Sequence, residues 1–166
     1  MNKYISDNLY EWIEYFLKIS LSDSIKLEFT STNHWVITYQ SNKLILPFYD
    51  WLYSEPNLNK ITYEDLSVKK YKYEKNFLIQ LNLKKQEFNS TLRNYDYIGF
   101  IFWTLNLYED KILGREKDQF FRFSAKTSLA FKNNYLQYPY IDYILEFFRD
   151  ELHITEENKP FPKLYF

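Results

Sequence analysis

The chain has 166 residues and a formal net charge of −1; 46% of its residues are hydrophobic and 26% are charged, which is typical of one globular domain. It contains no cysteine and two glycines, so disulfides, thiolate metal sites and the glycine-rich loops that bind phosphate are excluded. Because the net charge is not positive, the composition does not support nucleic-acid binding. The sequence contains no apolar run of about 18 residues, so no membrane span is predicted.

The N-terminus predicts an amphipathic helix. Residues 7–18 repeat apolar side chains at helical spacing, and Ser6 or Asp7 can cap the first turn. The apolar face consists of Leu9, Ile13, Phe16 and Leu17. The N-terminus lacks the apolar run and cleavage site of a signal peptide, so we expect a cytoplasmic protein.

Alternating apolar and polar residues then predict strands. Three of them read SIKLEF (24–29), HWVITYQ (34–40) and KLILPF (43–48). Ser41–Asn42 is the predicted turn before the third strand, which ends at Pro47 because proline cannot donate to a ladder. Residues 76–83, NFLIQLNL, fit a strand or a short helix, and we favour the strand.

The C-terminal half is predicted to be helical. Residues 95–110, YDYIGFIFWTLNLYED, are apolar almost all round, as in a buried helix. Gly99 within them either costs about 1 kcal/mol relative to alanine or allows another segment to approach closely. Pro139 opens an amphipathic helix over residues 139–152. Its apolar stripe comprises Ile141, Ile144, Leu145, Phe148 and Leu152.

These elements predict one α+β domain over residues 1–154. It contains an N-terminal helix, a small mostly antiparallel sheet and a helical C-terminal half. Residues 155–166 contain two prolines and are predicted to form a tail or linker.

A charged segment, Tyr108–Ser124, lies between the two C-terminal helices. Glu109 and Asp118 flank it and could act as an acid–base pair on a sugar if their environments separated their pKa values. The structural interpretation is favoured: Arg115 and Arg122 pair with these carboxylates and hold the loop between the helices.

No metal or cofactor is expected. A zinc site usually gathers three or more ligands, and the two histidines, His34 and His153, show no ligand spacing. Proximity to a helix C-terminus is sufficient to explain His153.

Several short motifs in residues 95–152 share the order and spacing of one protein family. The helix contains Phe102-Trp103, Leu105 and the acidic Tyr108-Glu109-Asp110; the loop contains Asp118, Arg122, Phe123, Ser128 and Ala130; Pro139 and Asp142 open the last helix. In this arrangement the segment resembles the N-terminal region of bacterial polysaccharide deacetylase-like proteins. In that family a non-catalytic domain precedes a NodB-type carbohydrate esterase domain.

The chain also departs from the family pattern. Asn106 stands where the family often has arginine, and Asp110 where it often has glutamate. The Asp-Asp pair and the His-x-x-x-His motif of the esterase metal site are absent. The resemblance therefore implies the accessory domain and no deacetylase activity in this chain, which fits a fragment, a split gene product or a standalone relative.

The function implied by the resemblance is non-catalytic. The domain would position a glycan substrate, or brace a polysaccharide deacetylase catalytic domain, in cell-envelope polysaccharide metabolism. Glu109, Asp118, Arg122 and Ser128 are the candidate residues for contact with the ligand or partner. Two alternatives stay open: a sugar-active enzyme using Glu109 and Asp118, and a small standalone interaction protein related to phage or defence systems.

Aromatic residues make up 22% of the chain, and two explanations fit this content. A genome rich in A and T favours tyrosine and phenylalanine codons. A surface that stacks on sugars or bases would also need aromatic rings.

Overall fold

The computed structural model describes residues 6–55, 60–86, 91–112, 119 and 125–155. These residues confirm the α+β class: an N-terminal helix, five antiparallel strands in two small sheets, and C-terminal helices. The helices are α1 (Asp7–Ser20), α2 (Tyr97–Leu105), α3 (Leu129–Lys132) and α4 (Tyr140–Leu152). The strands are β1 (Lys26–Phe29), β2 (His34–Tyr39), β3 (Asn42–Pro47), β4 (Leu66–Tyr73) and β5 (Asn76–Leu83).

The chain divides into two compact units. The first contains residues 1–48 and 142–166, and the second contains residues 49–141. The single domain over residues 1–154 stays a prediction, and most of the predicted tail, residues 156–166, lies outside the described residues.

The first unit contains α1 and the antiparallel sheet β1-β2-β3. The Ser6 side chain caps α1 by accepting a hydrogen bond from the backbone N–H of Leu9, 3.2 Å away, as the sequence indicated. Three apolar side chains on one face of β2 are buried: Trp35, Ile37 and Tyr39. The pattern of apolar and polar residues therefore predicted the helix and the strands of this unit correctly.

The turn between β2 and β3 lies one residue earlier than predicted. Tyr39 pairs with Asn42, so Gln40 and Ser41 form the turn. Gln40 takes the left-handed conformation, with φ 53°. Asparagine is a common turn residue, but Asn42 is already the first residue of β3. The strand ends at Pro47, as predicted.

The second unit contains the hairpin β4–β5, which confirms the strand prediction for residues 76–83. The middle of β5 is buried on both faces, including the polar side chain of Gln80, whose Nε2 donates to the Tyr97 hydroxyl over 3.2 Å. The Tyr95 hydroxyl donates to the carbonyl of Leu81 over 2.7 Å and accepts from its N–H over 2.9 Å. Polar groups, as well as apolar packing, thus fix β5.

The helix α2 is shorter than the predicted range of residues 95–110. Asp96 caps its start, and it ends because Leu107 adopts a left-handed conformation, with φ 53°. Gly99 lies where another segment approaches closely. A Cβ at this position would lie 2.7 Å from Asp96 Oδ2 and 2.9 Å from the Cβ of Leu52. Glycine is therefore required here by packing.

The helix α4 follows Pro139 directly, as predicted, and its residues from Asp142 onward belong to the first unit. Its buried side chains are Ile144, Leu145, Phe147, Phe148 and Leu152. His153 follows the helix in the left-handed conformation, with φ 54°, and Ile154 N–H returns to the carbonyl of Arg149 over 2.9 Å. This is a Schellman-type end, a position that favours glycine.

Candidate functional site

The structure describes two of the four predicted site residues and brings them to the same place. Glu109 lies on the 3₁₀ turn Tyr108–Lys111, and Ser128 directly precedes α3. Both side chains bind backbone N–H groups in the first turn of α3. Asp118 and Arg122 lie outside the described residues, as does Arg115, so the pairing of the two arginines with Glu109 and Asp118 stays a prediction.

Glu109 connects three segments of the second unit. Its Oε1 accepts a hydrogen bond from the backbone N–H of Leu129 over 2.6 Å and another from the hydroxyl of Tyr63. The first N–H groups of a helix have no partner within the helix, and a carboxylate satisfies one of them with favourable charge. Glu109 therefore holds the start of α3 against the turn that carries Tyr63.

Ser128 is the cap of α3 and is only 3% exposed. Its hydroxyl accepts a hydrogen bond from Phe131 N–H over 3.0 Å and donates to the carbonyl of Ala125 over 2.7 Å. These bonds give Ser128 a structural role, and its contact with a ligand stays a prediction.

Tyr63 lies at the centre of this arrangement, although no local pattern in the sequence pointed to it. Its hydroxyl contacts Glu109 and lies 2.6 Å from the carbonyl oxygen of Thr127. The Lys132 ammonium nitrogen lies 4.3 Å from the centre of the Tyr63 ring, a cation–π contact. We call Tyr63, Glu109, Thr127, Leu129 and Lys132 the Glu109 cluster.

Two tyrosines next to this cluster, the buried Tyr135 and the half-buried Tyr140, stay protonated at neutral pH. Burial raises the pKa of Tyr135 well above its ordinary value, and the nearby Tyr140, Glu109 and Tyr63 raise it further. Burial also raises the pKa of Tyr140; a hydrogen bond with Thr104 lowers it, and the charge of Glu109 raises it. Their hydroxyls therefore serve as neutral hydrogen-bonding groups and not as bases near pH 7.

A second polar constellation surrounds Asp96, which sequence reasoning missed. The side chain is fully buried, and its Oδ1 accepts hydrogen bonds from Gly99 N–H over 2.8 Å and from the Tyr53 hydroxyl over 2.9 Å. Its Oδ2 accepts from Tyr49 N–H over 2.8 Å. Burial raises the pKa of Asp96 to about 7, while the hydrogen bonds from Tyr49, Gly99 and Tyr53 act in the opposite direction.

The signal for Asp96 was present in the sequence. An aspartate directly before an apolar helical run is a common N-cap, and here it stands three residues before Gly99. The burial of the Asp96 carboxylate cannot be predicted from the local sequence, because it depends on segments that approach from elsewhere in the chain.

No metal centre is found among the residues that the structure describes, which contain no group of three or more histidine, cysteine or acidic side chains able to hold an ion. His34 Nδ1 lies 2.7 Å from the carbonyl oxygen of Thr32. None of the described helices has both the length and the apolar character needed to cross a bilayer.

Comparison with known proteins places the chain by sequence. Residues 1–156 match a family of unknown function, DUF7033. No curated protein and no solved structure matched the chain.

Proposed function

The chain belongs to the DUF7033 family, and we propose that it is a non-catalytic accessory domain that positions a glycan substrate or braces a catalytic domain in polysaccharide metabolism. The partner would be a catalytic domain of the polysaccharide deacetylase type. The resemblance of residues 95–152 to such proteins supplies the chemistry of this proposal. A cytoplasmic location is part of the same proposal.

The bonding of Glu109 carries the proposal. One carboxylate oxygen accepts from both Tyr63 and the N–H of Leu129, so it is occupied in holding the turn and α3 together. An acid–base catalyst must reach the proton that it transfers within hydrogen-bond distance. A carboxylate engaged by its own fold favours a scaffold over a catalyst.

The surroundings of Glu109 agree with this role. Ser128 caps the same helix, and beside the cluster Tyr135 is buried and Tyr140 is half-buried. Such a unit holds a surface in a fixed shape, which is what a domain that positions a polymer or supports an enzyme requires.

Co-sedimentation with insoluble acetylated polysaccharides tests the proposal. The purified chain is mixed with chitin or with peptidoglycan, and the bound fraction and the released acetate are both measured. We expect the chain to sediment with at least one polysaccharide and to release no acetate. Acetate release above a protein-free control would contradict the non-catalytic role, and retention on neither polysaccharide would contradict the positioning of these two glycans.

A variant pair separates the scaffold from the enzyme alternative. Glu109→Gln keeps an acceptor oxygen for Tyr63 and Leu129, whereas Glu109→Ala removes it. If Glu109 is a scaffold residue, the glutamine variant keeps most of the polysaccharide binding and the alanine variant loses stability. If Glu109 acts with Asp118 as an acid–base pair, reducing ends appear with the wild-type chain and disappear with Glu109→Gln.

One observation favours the second candidate, an interaction protein without a sugar role. Leu107 is 62% exposed in a left-handed conformation, directly beside the turn that carries Glu109. Strained backbone conformations of this kind cluster at ligand clamps and switch regions. In the same polysaccharide assay, an interaction protein without a sugar role would be retained on neither chitin nor peptidoglycan, whereas a glycan-positioning domain would be retained on at least one.

A further inference from the structure

The tip of the β4–β5 hairpin places two lysines and an aromatic ring on one face. Lys72 pairs directly with Phe77 in the antiparallel register, so their side chains lie on the same side of the hairpin. Lys70 lies two residues before Lys72 and therefore shares that side, and its ammonium nitrogen lies 5.2 Å from the centre of the Phe77 ring. Lys70 and Lys72 are both exposed.

The connection between α3 and α4 extends this face. The Lys70 ammonium group donates to the carbonyl of Asn134 over 2.8 Å. The ring of Tyr138 meets Phe77 edge to face, with ring centres 4.8 Å apart, and Tyr138 is 36% exposed. These contacts make Lys70, Lys72, Phe77, Asn134 and Tyr138 one continuous surface, which we call the hairpin surface.

The hairpin surface is positively charged. Residues 125–141 contain no aspartate or glutamate, and Glu74 is the single acidic residue in the hairpin, residues 66–83. Of the four lysines in the hairpin, Lys70 and Lys72 lie on this surface, Lys69 lies on the opposite face and Lys75 lies in the turn. A ligand for this surface should therefore carry negative charge.

We propose that the hairpin surface binds an acidic polysaccharide, one whose sugar rings carry carboxylates. The lysines would pair with the carboxylates, and the exposed ring of Tyr138 would pack against the C–H face of a sugar. This inference rests on the proposed function and names the class of glycan that the domain would hold.

The geometry fits a sugar polymer better than a nucleic acid. Nucleic-acid affinity depends on many phosphate contacts, whereas the hairpin surface offers two lysines beside two rings. One N–H of Lys70 already binds Asn134, which fixes the position of the ammonium group, and a carboxylate can accept from the others. Positive charges held next to an aromatic ring match an acidic polysaccharide, in which carboxylates alternate with the apolar faces of the sugar rings.

The test is a titration with hexagalacturonate followed by NMR amide shifts and by calorimetry. The variant Lys70→Gln with Lys72→Gln removes both charges and keeps similar side-chain length. The matched control, Lys26→Gln with Lys43→Gln, removes the same charge from exposed positions in the sheet of the first unit. Thermal unfolding of each variant is recorded first, to establish that all of them are folded.

We expect hexagalacturonate to shift amides of the hairpin surface and binding to weaken about tenfold in the hairpin variant. The control variant should bind within about twofold of the wild type. Tyr138→Leu, which keeps an apolar side chain without the ring, should also weaken binding. Equal weakening in the hairpin and control variants would overturn the inference, because it would show a general charge effect.

Two further probes distinguish the remaining outcomes. Neutral chitohexaose that binds as tightly as hexagalacturonate overturns the acidic preference and leaves the proposed function standing. A single-stranded thymidine oligonucleotide that binds more tightly than hexagalacturonate overturns it in favour of nucleic acid. If hexagalacturonate does not bind while chitin or peptidoglycan retains the chain, this inference alone fails; if no glycan binds in any assay, this inference and the glycan-positioning role of the proposed function both fail.

Discussion

The two compact units differ in what they bury. In the first unit the described core is apolar, and its buried polar residue is Ser22. The second unit buries four polar or charged residues: Gln80, Asn82, Asp96 and Ser128. The first unit is therefore stabilised mainly by removing apolar surface from water, whereas the second also depends on hydrogen bonds made away from water.

This contrast predicts where the chain is most sensitive to mutation. Replacing a buried polar group leaves its former partners unsatisfied, and the loss exceeds the net contribution of the bond. Exposed charges tolerate replacement, because water solvates them in both the folded and the unfolded state.

The largest effect is expected for Asp96→Ala. The substitution removes the acceptor of Tyr49 N–H, Gly99 N–H and the Tyr53 hydroxyl, all within the second unit. We expect the free energy of unfolding to fall by about 3–4 kcal/mol, measured by urea denaturation. The control Asp142→Ala, at an exposed position in the first turn of α4, should cost under about 1 kcal/mol. Equal losses for the two variants would remove the contrast between the units.

The second effect concerns Gly99→Ala. The new methyl group would lie 2.7 Å from Asp96 Oδ2 and 2.9 Å from the Cβ of Leu52, so these atoms must move. We expect a loss of about 1–3 kcal/mol in thermal or urea unfolding, even though alanine normally favours a helix by about 1 kcal/mol over glycine. Asn8→Ala, at an exposed position of α1, reports propensity alone and should be neutral or slightly stabilising. A stabilised Gly99→Ala would show that this packing is loose.

A further effect, which is spread over several pH units, is a dependence of stability on pH. The folded pKa of Asp96 is about 7, above its ordinary value of 3.8, because the side chain is buried. Between these values the folded chain holds a proton that the unfolded chain has lost. This contribution to stability is therefore complete below pH 3.8 and is lost as the pH rises through 7.

Urea unfolding at several pH values measures this dependence. The wild type should lose up to about 1.4 kcal/mol per pH unit more than Asp96→Asn between pH 4 and 7. Groups that the two proteins share contribute equally to both pH profiles, so their contribution cancels in the difference between the two free energies of unfolding. Parallel pH profiles would show that Asp96 does not titrate in this range.

The smallest effect is expected in the first unit. His153→Gly relieves the left-handed conformation at the end of α4, where φ is 54°. We expect a gain of about 0.5–1 kcal/mol in the free energy of unfolding. His153→Ala keeps a Cβ at the same φ and should bring no such gain. A gain with alanine would mean that the imidazole itself is unfavourable there.

The sequence predicted the elements whose burial has a period. The three strands of the first sheet, the strand at residues 76–83, and α1 and α4 all lie where the pattern indicated. In each of them one face is apolar, so spacing alone identifies the structure. The boundary errors are of one or a few residues, and they occur where the backbone enters the left-handed region, at Gln40 and Leu107. The strand β4 was not predicted, because its buried and exposed side chains do not alternate strictly.

The candidate site was predictable only in part. Glu109 and Ser128 were found because they lie in motifs of residues 95–152, and the structure places both at the start of α3. Tyr63 lies 46 residues from Glu109, and no local pattern connects them. The burial of Asp96 likewise arises from Tyr49 and Tyr53, which are distant along the chain. Contacts between residues so far apart in the sequence follow from the tertiary fold and have no signature in a short stretch of sequence.

The hydroxyl of Tyr95 has a consequence for how chains could associate. Starting from the turn at Glu74 and Lys75, the residue pairs of the hairpin alternate between hydrogen-bonded and non-hydrogen-bonded. Leu81 belongs to a non-hydrogen-bonded pair, so its N–H and carbonyl point away from β4. These groups would otherwise template a strand from a neighbouring molecule, the first step of edge-to-edge aggregation. Because the hydroxyl binds both of them, β5 cannot recruit such a strand at Leu81 without expelling the tyrosine.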